Sequence, residues 1–275
     1  LFVPANTIIP GPFVAPAAVL IEGEDRNSCV IETLFDPLRF NLAKFDCFAY
    51  RADTTDARIK NFTLRSFDTA GTFRKIGWEQ ACILNNLIGE NLRIETNLDE
   101  GIYTLAGRID FSGDVSVETH PIANTSVALN AHGATIDICG NLYTAGKNAV
   151  VADIEPTGGT VKIRGNLRSL GSYVLDATTG VIEIEGNLEG STQSSWHGTV
   201  LGDGGLTTIT GNITDHTGIP ISVRVHNAVV KVRNGKLTTG VPGIYWRLEA
   251  GTIILENVDL DNGEHIEYRV ITTER

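Results

Sequence analysis

The octapeptide TVKIRGNL at residues 160–167 returns as VIEIEGNL at residues 181–188. In both copies apolar residues alternate with other residues ahead of a Gly-Asn pair, and a period of two is typical of a β-strand. Eight residues are too few to form a core of their own. The repeat therefore predicts a structural unit that is stable only beside neighbouring copies of itself.

The same pattern continues through the C-terminal two thirds of the chain. The matching segments are LRIETN (92–97), VSVETH (115–120), IDICGN (136–141), VKIRGN (161–166), IEIEGN (182–187), TTITGN (207–212), VKVRNG (230–235) and IILENV (253–258). Their last residues are 21 to 25 positions apart. Between them we find no helical period, and the multi-leucine consensus of leucine-rich repeats is missing. The predicted fold class is therefore all-β: a single-stranded parallel β-helix, or solenoid, with rungs of about 23 residues and about ten rungs in total.

The recurring asparagine has a structural explanation in such a solenoid. Stacked strands place equivalent residues about 4.8 Å apart, so side-chain amides one rung apart can hydrogen-bond along the stack. Asparagine also tolerates the left-handed backbone of a tight turn. Asn234 and Asn257 stand one place early and predict a shifted turn in the last rungs. We expect a ladder formed by Asn97, Asn141, Asn166, Asn187 and Asn212.

Domain organisation follows from where the period holds. The proline-rich residues 1–18 predict an extended arm or linker. Residues 19–270 predict the solenoid, irregular over 19–90 and regular over 91–262, and residues 263–275 predict a C-terminal strand or arm. The insertion at 36–56 carries four aromatic residues and could cap an open end of the sheet.

Composition excludes several classes of partner. The net charge is −11, from 22 basic and 33 acidic residues, which disfavours binding to nucleic acid or to an anionic membrane. The best apolar run, residues 13–21, is too short to span a bilayer and contains Pro16. The four cysteines follow no metal-binding or disulfide spacing, so we expect buried free thiols.

Outward-facing charges alternate in sign from rung to rung. One predicted column holds Asp137, Lys162 and Glu183, and its neighbour holds Arg164 and Glu185. Cross-strand ion pairing is the preferred explanation, and a charged binding strip is the alternative. If the protein is a glycosidase, it needs two carboxylates facing one groove. The candidate catalytic residues are Glu183 and Glu185, with Asp203 and Asp215 as a second pair.

The longer rungs predict loops at residues 143–159 and 189–206. An exposed aromatic residue among hydroxyls and amides suits stacking on a sugar, although packing against the solenoid wall or into a subunit contact is an equal alternative for Trp196. The candidate glycan-binding residues are Tyr143, Tyr173, Trp196 and His197. No metal site is predicted: Asp259, Asp261 and Asn262 lack the spacing of an EF-hand and predict a solvated turn. No cofactor is expected, with Ca²⁺ required only if the protein is a lyase.

The I-x-I-x-G-N-L rungs, the segment LIEGEDRNSCVI at residues 20–31 and the asparagine turns resemble the right-handed parallel β-helix superfamily. This superfamily includes pectate-lyase-like enzymes and bacteriophage tailspikes. The resemblance covers about residues 19–270 and implies a right-handed coil. It also implies either cleavage of acidic polysaccharides or attachment to surface glycans, and for the tailspike branch a homotrimer.

Three functions remain open at this point. The preferred hypothesis is a tailspike-like or surface-appendage protein of a virion or cell surface that binds host glycans as a homotrimer. The chain length, the absence of an initial methionine and the proline-rich N-terminal segment favour it. The first alternative is a polysaccharide lyase or glycoside hydrolase on the same fold. The second is a structural module of a virion or filament that binds no glycan.

Overall fold

The structure is a computed structural model. It describes residues 1–35, 48–54, 56–69, 80–97, 100–104, 106–118, 127–131, 133–144, 148–151, 159–169, 173–177, 179–190 and 198–273. Every regular element in these ranges is a β-strand, so the protein is an all-β parallel solenoid with coils of about 25 residues. The described residues contain no helix that is long and apolar enough to cross a membrane.

The strands form two sheets that run the length of the solenoid. The larger sheet has 19 strands: β1 (Phe2–Val3), β2 (Thr7–Pro10), β4 (Leu20–Gly23), β5 (Cys29–Phe35), β7 (Arg58–Asp68), β9 (Asn86–Thr96), β11 (Arg108–Phe111), β12 (Val115–Glu118), β14 (Thr135–Ile138), β15 (Leu142–Thr144), β17 (Thr160–Ile163), β18 (Leu167–Ser169), β20 (Val181–Ile184), β21 (Leu188–Gly190), β23 (Leu206–Thr210), β24 (Ile213–Asp215), β26 (Val229–Thr238), β28 (Thr252–Leu260) and β29 (His265–Thr272).

The smaller sheet has ten strands in the described residues: β3 (Phe13–Val14), β6 (Tyr50–Ala52), β8 (Gln80–Leu84), β10 (Glu100–Thr104), β13 (Val127–Ala131), β16 (Asn148–Val151), β19 (Tyr173–Asp176), β22 (Val200–Gly202), β25 (Ile221–Val223) and β27 (Trp246–Leu248).

Each coil contributes two arms to the larger sheet, joined at a corner. In the repeat, Val161 and Ile163 lie on the first arm and Leu167 begins the second, and all three are fully buried. Paired residues in neighbouring coils are both apolar at these positions, as in Val161↔Ile182 and Leu167↔Leu188. Burying an aliphatic side chain of this size contributes about 1.5–3 kcal/mol, so these inward rows form the continuous core.

The glycine of the Gly-Asn pair is required by the stacking of corners. A Cβ atom on Gly165 would lie 2.4 Å from the carbonyl oxygen of Gly140, and one on Gly186 would lie 2.3 Å from that of Gly165. The same holds at Gly211 against Gly186. Only glycine allows backbones to approach this closely, so the corner glycine recurs in successive coils.

The register corrects the alignment of two sequence copies. The sequence pattern aligns segments 92–97 and 115–120 with 136–141, which is the first arm of a coil. In the structure, Leu92 pairs with Val115 and Val115 pairs with Leu142, so both segments are second arms. Apolar residues alternate with other residues at the same period in both arms. The local sequence pattern therefore does not distinguish a first arm from a second.

Both ends of the chain contain β-strands. Residues 1–18, predicted as an arm or linker, contain β1, β2 and β3, which pair in parallel with β4, β5 and β6 as a first coil. Proline is tolerated there because an edge strand needs no donor on its outer side. At the other end β29 folds back and pairs antiparallel with β28. Of the predicted capping insertion, residues 36–47 lie outside the described residues.

Candidate functional site

The corner asparagines form one continuous column, which we call the asparagine column: Asn141, Asn166, Asn187 and Asn212. The backbone N–H of Asn166 donates to Oδ1 of Asn141, at 2.9 Å, and that of Asn187 donates to Oδ1 of Asn166, at 2.9 Å. In the same way, the backbone N–H of Asn212 donates to Oδ1 of Asn187 at 3.1 Å. The bonds thus run from backbone to side chain, where the sequence predicted contacts between side-chain amides.

Other residues extend the column at both ends. The carboxylate of Asp114 accepts from the backbone N–H of Asn141 at 2.8 Å and so takes the place of an asparagine in the preceding coil. The backbone N–H of Lys236 donates to Asn212 at 2.8 Å in the following coil. Asn234 and Asn257 have left-handed backbones and bond to each other through their side chains at 3.0 Å, as the early placement of these two asparagines suggested.

Asn97 does not belong to the asparagine column. Its Oδ1 accepts from the backbone N–H of Asp68 at 2.8 Å, and its Nδ2 donates to the carbonyl of Asp68 at 2.8 Å. The corner asparagine of that coil is Asn91, whose side chain donates to Asn61 at 2.8 Å. The correction follows from the register, because 92–97 is a second arm and its last residue lies at the far end of that arm.

Glu183 and Glu185 share one cationic partner. Nζ of Lys162 lies 2.7 Å from Glu185 and 3.6 Å from Glu183. The hydrogen bond to Glu185 raises the pKa of Lys162 above its usual value. The two carboxylates are half-exposed, and both are held by the charge of the preceding coil. This geometry matches cross-strand pairing, which contributes about 0.2–1 kcal/mol per pair.

Asp203 and Asp215 lie on different elements and have separate partners. Asp203 follows β22 and accepts two hydrogen bonds from the guanidinium of Arg224, one of them 3.0 Å long. Asp215 is only 1% exposed and accepts from the hydroxyl of Thr199 at 2.6 Å. It also accepts from the backbone N–H groups of residues 217 and 218, at 3.0 and 2.6 Å. The structure therefore shows Asp203 in an ion pair and Asp215 in a buried turn.

Asp137 is the most enclosed carboxylate of the charged columns. The guanidinium of Arg164 donates to both of its oxygens, at 3.1 and 2.7 Å, and Arg108 lies 3.6 Å away. The hydrogen bonds from Arg164 hold the pKa of Asp137 below its usual range. The charge columns predicted this neighbourhood correctly, although Arg164 crosses from the adjacent column to reach Asp137.

Tyr143 lies beside the asparagine column, on the outer side of the second arm. It is half-buried and pairs in register with Arg168, which in turn pairs with Glu189. Nε2 of His216 lies 3.1 Å from Glu189, and the Arg168 guanidinium lies 3.6 Å from it. We call Tyr143, Arg168, Glu189 and His216 the outer row. Of these four, the sequence predicted only Tyr143 as a glycan-binding residue, although Arg168 and Glu189 follow the repeated asparagine at the same offset.

The remaining glycan-binding candidates lie elsewhere. Tyr173 belongs to β19 in the smaller sheet, so it is in a different sheet from Tyr143. Trp196 and His197 lie outside the described residues.

The acidic turn near the C-terminus uses its oxygens within the protein. Asp259 pairs with His265 at 2.7 Å, and Asp261 accepts from the hydroxyl of Tyr245 and from the backbone N–H of Thr239. The hydrogen bond from Tyr245 lowers the pKa of Asp261. Within the described part of the chain, no three His, Cys, Asp or Glu side chains are grouped closely enough to hold a metal ion.

Comparison of the chain with protein-family models, with curated proteins and with solved structures finds no match in any of the three. The fold and the geometry above are therefore the basis for a functional assignment.

Proposed function

We propose that this solenoid binds a neutral surface glycan without cleaving it. The binding surface is the corner face, which consists of the asparagine column and the outer row. One observation carries the proposal. All four predicted catalytic carboxylates are bound to partners within the protein, whereas the corner face presents exposed amide groups that the described fold does not use.

The free donors form a regular row. The Oδ1 atoms of Asn166, Asn187 and Asn212 accept from the next coil, but no described residue accepts a hydrogen bond from their Nδ2 groups. Neighbouring strands in a sheet are about 4.8 Å apart, so these amides repeat at that distance along the solenoid. A row of equally spaced donors suits the hydroxyl and ring oxygens of an extended polysaccharide.

The rest of the corner face fits the same ligand. Tyr143 offers part of an aromatic face beside the amides, and Glu189 and His216 offer further hydrogen-bonding groups. The net charge of −11 repels acidic polysaccharides, which favours a neutral chain.

The test is incubation with a panel of bacterial surface polysaccharides, followed by size analysis of protein and glycan together. We expect co-elution with an intact neutral glycan, and weaker binding by Asn166→Ala/Asn187→Ala. Asn27→Ala, which alters an exposed turn in another coil, should bind normally. Shortened glycan would support the enzyme alternative instead, and sensitivity of that activity to a chelator would identify a Ca²⁺-dependent lyase.

The structural-module alternative rests on a separate observation. Outward charges are paired from coil to coil, as in Lys231 with Glu256 at 2.6 Å, so much of the outer surface is satisfied without a ligand. If no glycan co-elutes and none is shortened, this alternative becomes the better one.

We also propose that the protein acts as a homotrimer in a virion or cell-surface appendage. Exposed apolar side chains on the outer face of the first coils, among them Phe2, Ile8 and Leu34, support an interface between copies. Sedimentation equilibrium would test the trimer: a monomer at high concentration would contradict it.

A further inference from the structure

A small pocket opens on the outer face of the larger sheet, in the coils that directly precede the asparagine column. Its volume is about 180 Å³, and it is lined by Asp56, Asn86, Leu87, Ile88, Arg108 and Asp110. The lining comes from three successive coils: Asn86 pairs with Arg108 in the next coil, and Arg58, two residues after Asp56, pairs with Ile88 from the preceding one. The sequence patterns pointed to none of these residues.

The floor of the pocket is apolar. Ile88 is 40% exposed, although charged residues stand beside it in both neighbouring coils: Arg58 on one side and Asp110 on the other. This exposed isoleucine lies within an otherwise charged outer surface. The hydrocarbon part of a ligand could pack against it and so be removed from water.

The charged residues that line the pocket differ in whether the fold pairs them. Arg108 is already neutralised, since its Nε and Nη2 lie 2.9 and 2.8 Å from Asp110 and its Nη2 lies 3.6 Å from Asp137. Asp56 is exposed, and no described residue forms an ion pair or hydrogen bond with its carboxylate. Of the charged residues that line the pocket, Asp56 is therefore the one that no described residue pairs, and the exposed Arg58 stands beside the floor without lining it.

We propose that this pocket binds an alkylammonium group, either a free primary amine or the side chain of a lysine on a partner protein. The ammonium contacts Asp56, and the carbon chain packs on Ile88. The net charge of −11 adds a long-range attraction for cations. The pocket and the corner face proposed to bind glycan share no residue.

The experiment is calorimetric titration of the intact protein with n-butylamine, with n-butanol as the uncharged control. We expect saturable binding of the amine alone. Asp56→Asn should weaken binding at least about tenfold, because a charge-assisted hydrogen bond is worth about one to two powers of ten. Asparagine tolerates the left-handed backbone of Asp56, which has a φ of 61°, so this variant should fold. Asp259→Asn removes an equal charge in a distant coil and should bind like the unmodified chain.

Two further titrations define the ligand. Ile88→Ser should weaken the amine several-fold by removing the apolar floor. Replacing n-butylamine by Nα-acetyl-lysine N-methylamide separates the two sources: tighter binding indicates a lysine side chain, and equal or weaker binding indicates a free amine. The proposal is overturned if n-butanol binds as well as the amine, if no amine binds, or if Asp56→Asn binds unchanged.

Discussion

Replacing Asp215 by alanine tests whether this carboxylate is structural or catalytic. The side chain is buried and accepts three hydrogen bonds, from the hydroxyl of Thr199 and from two consecutive backbone N–H groups. Thr199 precedes β22 in the smaller sheet, whereas Asp215 ends β24 in the larger one, so the carboxylate links the two sheets across one coil. Its removal leaves these donors without an acceptor in a region that is largely closed to water.

The expected loss in free energy of unfolding is large compared with the stability of a typical domain. A hydrogen bond to a charged group contributes about 1.5–3 kcal/mol, and the three bonds here are not additive because they share one acceptor. Leaving a buried donor without an acceptor costs about 1–3 kcal/mol, and three donors lose their acceptor here. Domains have a free energy of unfolding of about 5–15 kcal/mol, so Asp215→Ala should lower the denaturation midpoint visibly.

Urea denaturation followed by circular dichroism measures the effect. Solenoids do not always unfold in one step, so the midpoint and the slope are both compared. Glu189→Gln is the matched control, since it also removes a carboxylate from this region. The carboxylate of Glu189 and its partners Arg168 and His216 are half-exposed. Exposed pairs of this kind contribute less than about 1 kcal/mol.

The structural role of Asp215 would be refuted by a variant as stable as the unmodified protein, within about 0.5 kcal/mol. A variant that kept its stability but lost a glycan-shortening activity of the parent would return Asp215 to the catalytic candidates.

Three further predictions follow from the coil-to-coil contacts. Gly165→Ala should destabilise the protein more than an alanine substitution at an exposed strand position, because its Cβ would lie within 2.6 Å of two backbone atoms of the preceding corner; an unchanged melting temperature would contradict this. Asn97→Ala should cost more than Asn166→Ala in thermal melts, because it loses two hydrogen bonds to Asp68, whereas Asn166→Ala loses one acceptor at an exposed corner; the reverse order would contradict the register. The lowered pKa of Asp137 means that its ion pair with Arg164 stabilises the fold above the ordinary aspartate value of about 4, and that this contribution is lost as the pH falls through the lower, folded value. Asp137→Asn should therefore flatten the acid side of a plot of stability against pH, and an unchanged acid limb would count against the pair.

The solenoid was predictable because its signals are local and repeated. Alternation in TVKI and VIEI places Val161, Ile163, Ile182 and Ile184 on one side of a strand, and the buried rows confirm that side. The Gly-Asn pair marks a corner, and its recurrence gives the length of a coil. These features depend on residues close together in the sequence, so the sequence alone is enough to predict the strands, the corners and the coil length.

The site was harder to predict because partners come from other coils. Lys162 holds Glu183 and Glu185 across 21 and 23 positions in the chain, and Arg164 reaches Asp137 across 27. The turn role of Asp215 did have a local signal, since an aspartate followed by Thr-Gly two positions later suits a side-chain-capped turn. No local sequence signal indicated that Asp215 is buried against Thr199.

The sequence by itself determined the all-β solenoid, the inward apolar rows and the corner residues, because a period of two and a fixed coil length are properties of short stretches. Only the tertiary structure decided which arm of a coil each strand forms, since both arms alternate identically. It also decided that residues 1–18 form a first coil, because Pro10 and Pro12 suit an edge strand as well as a linker. Which carboxylates are bound within the protein and which, like Asp56, face solvent depends on the exact register between coils, and that register is fixed by packing.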